Sequence, residues 1–243
     1  MTADLAQIST ALHTQWTRTR SWLEPLGDDL LGARDRPSVL DGWTTGELVA
    51  HLARAMDALA VCEPAPAGTV PMTLAEYLGT SPGRVDEIAS TTRDLASEIS
   101  ASPHAEVERR AAAALRRLTE LGDDGALVVQ APRGPVSLRD MTTSRLVELV
   151  VHTLDLTASL EGVAASTGPS DPIDRGALTL VAEELLDIVV RRGGWSIELV
   201  DARRWVRLAA GRTRYDVDEL AAAISPRYTA GGVPDLGRLL PLL

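Results

Sequence analysis

Lysine and phenylalanine are both missing from the 243-residue chain, cysteine occurs once, and aromatic residues make up only 3%. Positive charge is therefore carried by arginine alone, which reads as the mark of a GC-rich genome. The single cysteine, Cys62, excludes an intramolecular disulfide and a cysteine-based metal cluster, and is expected to be a small buried hydrophobe. Basic residues number 24 against 34 acidic ones, for a formal net charge of −10 and a pI near 4.9. An acidic surface gains nothing from nucleic acid or an anionic membrane, so the expected partner is a small molecule, with no nucleic acid and no membrane. No apolar run reaches the ~18 uncharged residues of a membrane span. The N-terminal MTADLAQIST carries Asp4 and lacks the apolar region of a signal peptide. A cytoplasmic protein is expected, as a monomer or small homo-oligomer.

The hydrophobic content, at 45%, suffices for one large domain or two small ones with cores of their own. Residues 4 to 24 carry Leu5, Ile8, Leu12, Trp16 and Leu23 at helical period. In DGWTTGELVAHLARAMDAL, Thr44 and Glu47 have capping-box spacing, predicting a helix from about Thr45 whose inward stripe is Leu48, His51, Leu52, Ala55 and Leu59. Trp43 reads as a packing residue at that helix start. Pro64, Pro66 and Pro71 mark a loop. Val85, Ile88, Thr92, Leu95 and Ile99 predict a further helix, and Val107, Ala111, Ala114, Leu118 and Leu121 another after Pro103. ALVVQA, an RGP turn and VSL predict a hairpin at 126 to 138, ahead of a long helix from about Arg139 to Leu160.

GVAASTGPSDP, residues 162 to 172, reads as a linker. Beyond it a helix over 174 to 192, strand-like SIELV and WVRLA, and a short helix near 218 to 224 predict a small α+β unit. The expected architecture is a mainly α protein, with a helical bundle carrying a β-hairpin insertion over residues 1–162 and a small α+β C-terminal domain over 173–243.

The long helix contains RLVELVVHTLDL, in which Arg145, Glu148, His152 and Asp155 interrupt an apolar run at spacings of three, four and three. At ~100° per residue they form one polar stripe. Unpaired charge in a core costs several kcal/mol, so the stripe should face solvent or surround a compensating ion. An i,i+4 Glu and His have Cβ atoms ~6 Å apart and can converge on one cation at ~2.0 to 2.2 Å. Two ligands need a third. Of the four histidines, His13 lies off the apolar stripe of the first helix, and His104 follows Pro103 in a loop or helix start. His51 points to the core side, and bundles build metal sites from inward side chains on facing helices. The alternative for His51 is a hydrogen-bonded core histidine. Arg145 reads as a solvated arginine one turn from the helix start, with compensation of local negative charge as the alternative.

DGWTTGELVAHLARAMDAL resembles the sequence around the first metal histidine of the mycothiol-dependent maleylpyruvate isomerase family, a branch of the DinB-like metalloenzymes. RLVELVVHTLDL resembles that family's second metal segment, and WVRLAAGR with AGGVPDLGRLLPLL resembles its C-terminal ending. The resemblance implies a DinB-like four-helix bundle with His51, Glu148 and His152 as ligands of a divalent metal, most simply zinc. It also implies mycothiol, the low-molecular-weight thiol of actinobacteria, as cosubstrate. Asp155 is expected either to orient a ligand histidine or to serve as a helix-surface pair or cap. Arg212 is the candidate catalytic residue, binding a substrate carboxylate through its planar fork, against the alternatives of an exposed strand end or a brace between domains.

Three protein ligands leave positions open for something labile, and a cation there turns a thiol into a thiolate. The resemblance implies thiolate attack on a conjugated double bond, rotation and elimination, giving cis-trans isomerisation. S-transfer needs the same activated sulfur. A non-haem iron oxygenase shares the two-histidine, one-carboxylate set but is usually borne on a β-barrel, and a non-enzymatic helical metal-binding module is the remaining alternative.

Overall fold

The computed structural model describes residues 3–80, 82–162, 171–228 and 233–243. Helix α1 (Leu5–Leu23) starts where Asp4 and Gln7 form a reciprocal cap, each side chain accepting from the other's backbone N–H. A short turn leads into α2 (Gly27–Ala33). Helix α3 (Thr45–Ala60) begins at the predicted capping box, with Glu47 N–H donating to Thr44 at 3.2 Å. There follow β1 (Glu63–Pro64), α4 (Leu74–Leu78), α5 (Val85–Glu98) and α6 (Pro103–Leu121), whose leading proline fits a first helical position that needs no N–H donor. The hairpin of β2 (Val128–Ala131) and β3 (Gly134–Ser137) runs directly into α7 (Leu138–Ser159).

Four helices, α1, α3, α6 and α7, pack as the bundle, and α5 lies on α3. The hairpin turn is Pro132–Arg133, and β1 adds to β2 as a third antiparallel strand that local patterning does not reveal. Helices α2 and α4 are likewise missed, being too short to show a period.

After the bundle come α8 (Arg175–Gly193), β4 (Ile197–Leu199), α9 (Ala202–Ala209), α10 (Val217–Ala223) and β5 (Ile224–Pro226), with β4 and β5 antiparallel. Here one expectation fails: WVRLA is helix, not strand. Asp201 caps it by accepting from Arg204 N–H at 3.0 Å, and Trp205, Val206, Leu208 and Ala209 are buried while Arg204 and Arg207 are exposed. Five mostly apolar residues fit a buried strand, but the full eight-residue segment fits a helix lying on α8.

Of the predicted linker, residues 163–170 lie outside the described residues, as do Ala230, Gly231 and Gly232 of the tail motif. On the far side, Asp171 and Pro172 are held to α1. Buried Gln15 donates to the Pro172 carbonyl at 3.0 Å and accepts from Asp174 N–H at 2.9 Å, while Arg18 reaches the Asp171 carbonyl at 3.1 Å. Buried apolar residues from both sides form one continuous cluster. Among the described residues no helix is long and apolar enough to cross a membrane.

Trp205 is fully buried, its indole N–H donating to the Ala182 carbonyl at 3.0 Å. Trp205→Ala should cost about 3–5 kcal/mol in a denaturant titration. A loss under about 1 kcal/mol would mean that α9 contributes little to the cooperative unit.

Candidate metal centre

Helix α3 presents His51 about two turns after its cap, and α7 presents Glu148 and His152 on successive turns opposite it. One donor atom from each lies within 4.8 Å of the others. His152 Nε2 stands 3.1 Å from Glu148 Oε2, and His51 Nε2 stands 3.5 Å from the same oxygen. The imidazoles meet edge to face, with centroids 4.5 Å apart, and Trp43 sits edge-on to His51 at 5.1 Å. Local sequence shows Trp43 only as a packing residue, and the fold puts it against His51. His13 is exposed on α1 and His104 lies in the first turn of α6, so neither joins the cluster.

The cluster fits a cation. His152 Nδ1 lies 3.0 Å from Asp155 Oδ2, and with its N–H donated there, Nε2 turns a lone pair toward a carboxylate oxygen. Two acceptors 3.1 Å apart need a proton or a cation between them. Buried His51 Nδ1 has no hydrogen-bond partner among the described residues, while its Nε2 faces Glu148. Imidazole nitrogens with a carboxylate oxygen are a zinc-type donor set.

Without a cation, charge is arranged around one proton. Burial opposes ionisation of Glu148, but hydrogen bonds from His152 and His51 and the nearby Arg145 charge hold its carboxyl well below the ordinary 4.5. Burial likewise opposes the charged form of His152, yet Asp155 and Glu148 outweigh it and raise its pKa. Burial and then the charge of His152 lower that of His51. Of the two imidazoles, His152 is thus the one pushed toward its charged form.

Asp155, too, is held below its ordinary 3.8: burial opposes this, and His152 and Arg212 overcome it. A carboxylate depressed in the folded state contributes stability above its unfolded pKa and loses it as pH falls through the folded value. The melting temperature of the metal-free protein should fall as pH drops below about 4.5, the usual Glu value. Glu148→Gln should flatten that acid limb, and an equally steep limb in the variant would show that Glu148 is not a contributor.

Arg212 approaches from behind the cluster. It follows Gly211, whose φ of 70° ends α9, so it stands at a helix end and not the expected strand end. Its Nε donates to both Asp155 oxygens at 3.1 and 3.2 Å, its Nη2 to Oδ2 at 3.1 Å, and its Nη1 to the Ala210 carbonyl at 2.7 Å. The fork thus grips Asp155, and a polar chain runs Arg212–Asp155–His152–Glu148.

Arg145 corrects another expectation, being buried at 1% exposure and not solvated. Nearness to a helix start says nothing of exposure when the helix is central, and α7 is packed by α1, α3, α4 and α8. Arg145 Nη1 donates to the Ala55 carbonyl at 2.6 Å, and its Nε lies 3.2 Å from Ser144 Oγ. Its Nη2 stands 4.0 Å from Glu148 Oε1 and has no hydrogen-bond partner among the described residues.

On the same side opens a cavity of about 220 Å³ bordered by His51, Glu148, Arg54, Arg84, Arg133 and Arg145. Arg133 comes from the hairpin turn, stacks over Tyr77 and stands 3.6 Å from Glu148 Oε1. Arg54 is three residues after His51 on α3. That i,i+3 spacing was visible in the sequence, whereas only the fold delivers Arg133.

Residues 12–157 match the sequence family described as the mycothiol maleylpyruvate isomerase N-terminal domain. Two solved structures share the fold, one of the mycothiol-dependent maleylpyruvate isomerase and one of a histidine-to-alanine mutant of it. Their TM-scores are 0.57 and 0.56, each at 18% identity, covering 97% of this chain and 98% of theirs. No curated protein sequence matches the chain.

Proposed function

The chain belongs to the mycothiol maleylpyruvate isomerase family, and from that premise we propose that it is an enzyme using a divalent metal, zinc by its donor set, and mycothiol to isomerise a small conjugated electrophile. The observation that carries the metal reading is the convergence of one donor atom each from His51, Glu148 and His152 within 4.8 Å, with His152 Nδ1 already engaged by Asp155. When bound, the cation would hold a thiol in its anionic form near neutral pH.

The chain's own residues do the remaining work. His152 is fixed in ring orientation and tautomer by Asp155, which Arg212 clamps in turn. Glu148 is kept anionic by the imidazoles and Arg145. Attack by sulfur forms a C–S bond and moves the π electrons toward the conjugated carbonyl. Rotation about the resulting single bond and expulsion of sulfur restore the double bond in the other geometry, with the thiol returned unconsumed. Residues 1–162 act as the bundle that carries the donor set, and 173–243 as the unit that supplies Arg212.

Mycothiol S-transfer is the second reading, since it draws on the same donor set and differs in keeping the C–S bond. Incubating metal-loaded protein with mycothiol and cis-conjugated electrophiles, while measuring isomer ratio and free thiol together, separates the two. Isomerisation at constant thiol supports the first, and stoichiometric thiol loss supports the second. If neither exceeds the uncatalysed rate, the enzymatic reading fails and a non-enzymatic metal-binding module takes its place.

A further inference from the structure

Four arginines and two carboxylates border the cavity beside Glu148. Arg54, Arg84, Arg133 and Arg145 border it, and the acids on its border are Asp57 and Glu148. Asp57 is taken by an ion pair with Arg110, and Arg84 is paired with Glu87 at 2.6 and 2.8 Å. Arg54 donates to the Ile88 carbonyl at a long 3.4 Å. Arg145 has a guanidinium nitrogen with no hydrogen-bond partner among the described residues, although the side chain is 1% exposed. Glu148 is the carboxylate left, and it is also a proposed metal ligand. A divalent cation drawing on that carboxylate makes the local excess of positive charge larger. An unpaired buried guanidinium N–H is costly enough that a guest should satisfy it.

We propose that this cavity is the subsite for a carboxylate of the electrophile, with Arg54 and Arg145 as its main contacts. This rests on the thiol-enzyme reading above and deepens it by naming where the acidic end of the electrophile goes. Guanidinium forks match a carboxylate in plane and spacing. At roughly 30 Å³ for each water-sized group, the volume suits a small acid. His51 and Glu148 border the same cavity, so a double bond conjugated to the bound carboxylate would lie against the metal centre. Arg212, occupied with Asp155, stays behind His152 and positions it.

The test uses the metal-loaded enzyme and two readouts. The first is kcat/KM with maleate and with dimethyl maleate, in the parent and in Arg54→Met and Arg54→Lys. The second is calorimetric binding of succinate and of inorganic phosphate, which needs no turnover. Arg54 is chosen because it lies at the cavity edge, while replacing buried Arg145 threatens folding. Arg54→Met should cut the preference for diacid over diester about ten- to a hundredfold and weaken succinate binding by a similar factor, with Arg54→Lys in between. Equal losses for diacid and diester, with succinate binding unchanged, would overturn the proposal. Phosphate bound more tightly than succinate would overturn the carboxylate assignment. Succinate binding that depends on Arg54 in a protein turning over neither electrophile would support the subsite and sink the thiol-enzyme reading alone.

Discussion

Elemental analysis of the purified protein should find about one divalent metal per chain, and His51→Ala, Glu148→Ala and His152→Ala should each abolish tight retention. The reason is that three donors are few. Zinc centres with an open position keep three protein ligands, so losing one removes a third of the attachment. The loss should exceed the ~10–100-fold typical of changes behind the ligands. Glu148→Ala should be the most severe, because it deletes the lone anionic donor and leaves a cation facing Arg145 and Arg133, now 4.0 and 3.6 Å from that carboxylate. The fold should survive. Leu48, Leu52, Leu146, Leu149 and Val150 are buried in an apolar core that owes nothing to the metal. Chelation should therefore leave helical circular dichroism intact while lowering the melting temperature. A ligand at 100 times its Kd adds about 2.7 kcal/mol, worth roughly 5–10 °C for a chain of this size. Parent-like metal content in all three variants would remove the centre, and unfolding by chelator at room temperature would show that metal binding and folding are one event.

Local signals carried much of the bundle and the candidate ligands. Thr44 and Glu47 set the start of α3 to the residue, which fixes the face of His51, and the three-four-three spacing in α7 fixes the stripe of Glu148, His152 and Asp155. What stayed hidden depends on tertiary placement. Arg145 looks exposed until α3 is laid across α7, and Arg133 looks like an ordinary turn residue until the hairpin folds over the site. WVRLA misled because five residues, four of them apolar, are too short a window to separate a period of two from 3.6. In the sequence Arg212 shows only its fork. Which carboxylate the fork would meet depends on the return of α9 toward α7, and that return is not a local property.

Asp155→Asn should lower metal affinity by about 10–100-fold, although Asp155 is not among the proposed ligands. Asn keeps the size and can accept the His152 Nδ1–H through its oxygen. Its amide N–H₂ would then face the donors of Arg212, now 3.1 and 3.2 Å from the two carboxylate oxygens. Either the His152 orientation or the Arg212 clamp is lost. Arg212→Lys should act in the same direction more weakly, since an ammonium answers the charge of Asp155 without the fork. The double variant should lose less than the sum of the singles, because both act through one chain of contacts. A pH readout distinguishes this from loosened packing. Asp155 helps to raise the pKa of His152, and protons compete with metal for that nitrogen. Removing Asp155 should move the midpoint of proton competition, read as the bend in log metal affinity against pH, to lower pH, even as affinity at neutral pH falls. Packing damage alone would leave the midpoint in place or shift it upward. If Arg212 instead clamped the substrate, Arg212→Lys would leave metal affinity and this midpoint untouched and slow acidic electrophiles selectively. Metal titrations across pH on the parent and the three variants decide between the two roles.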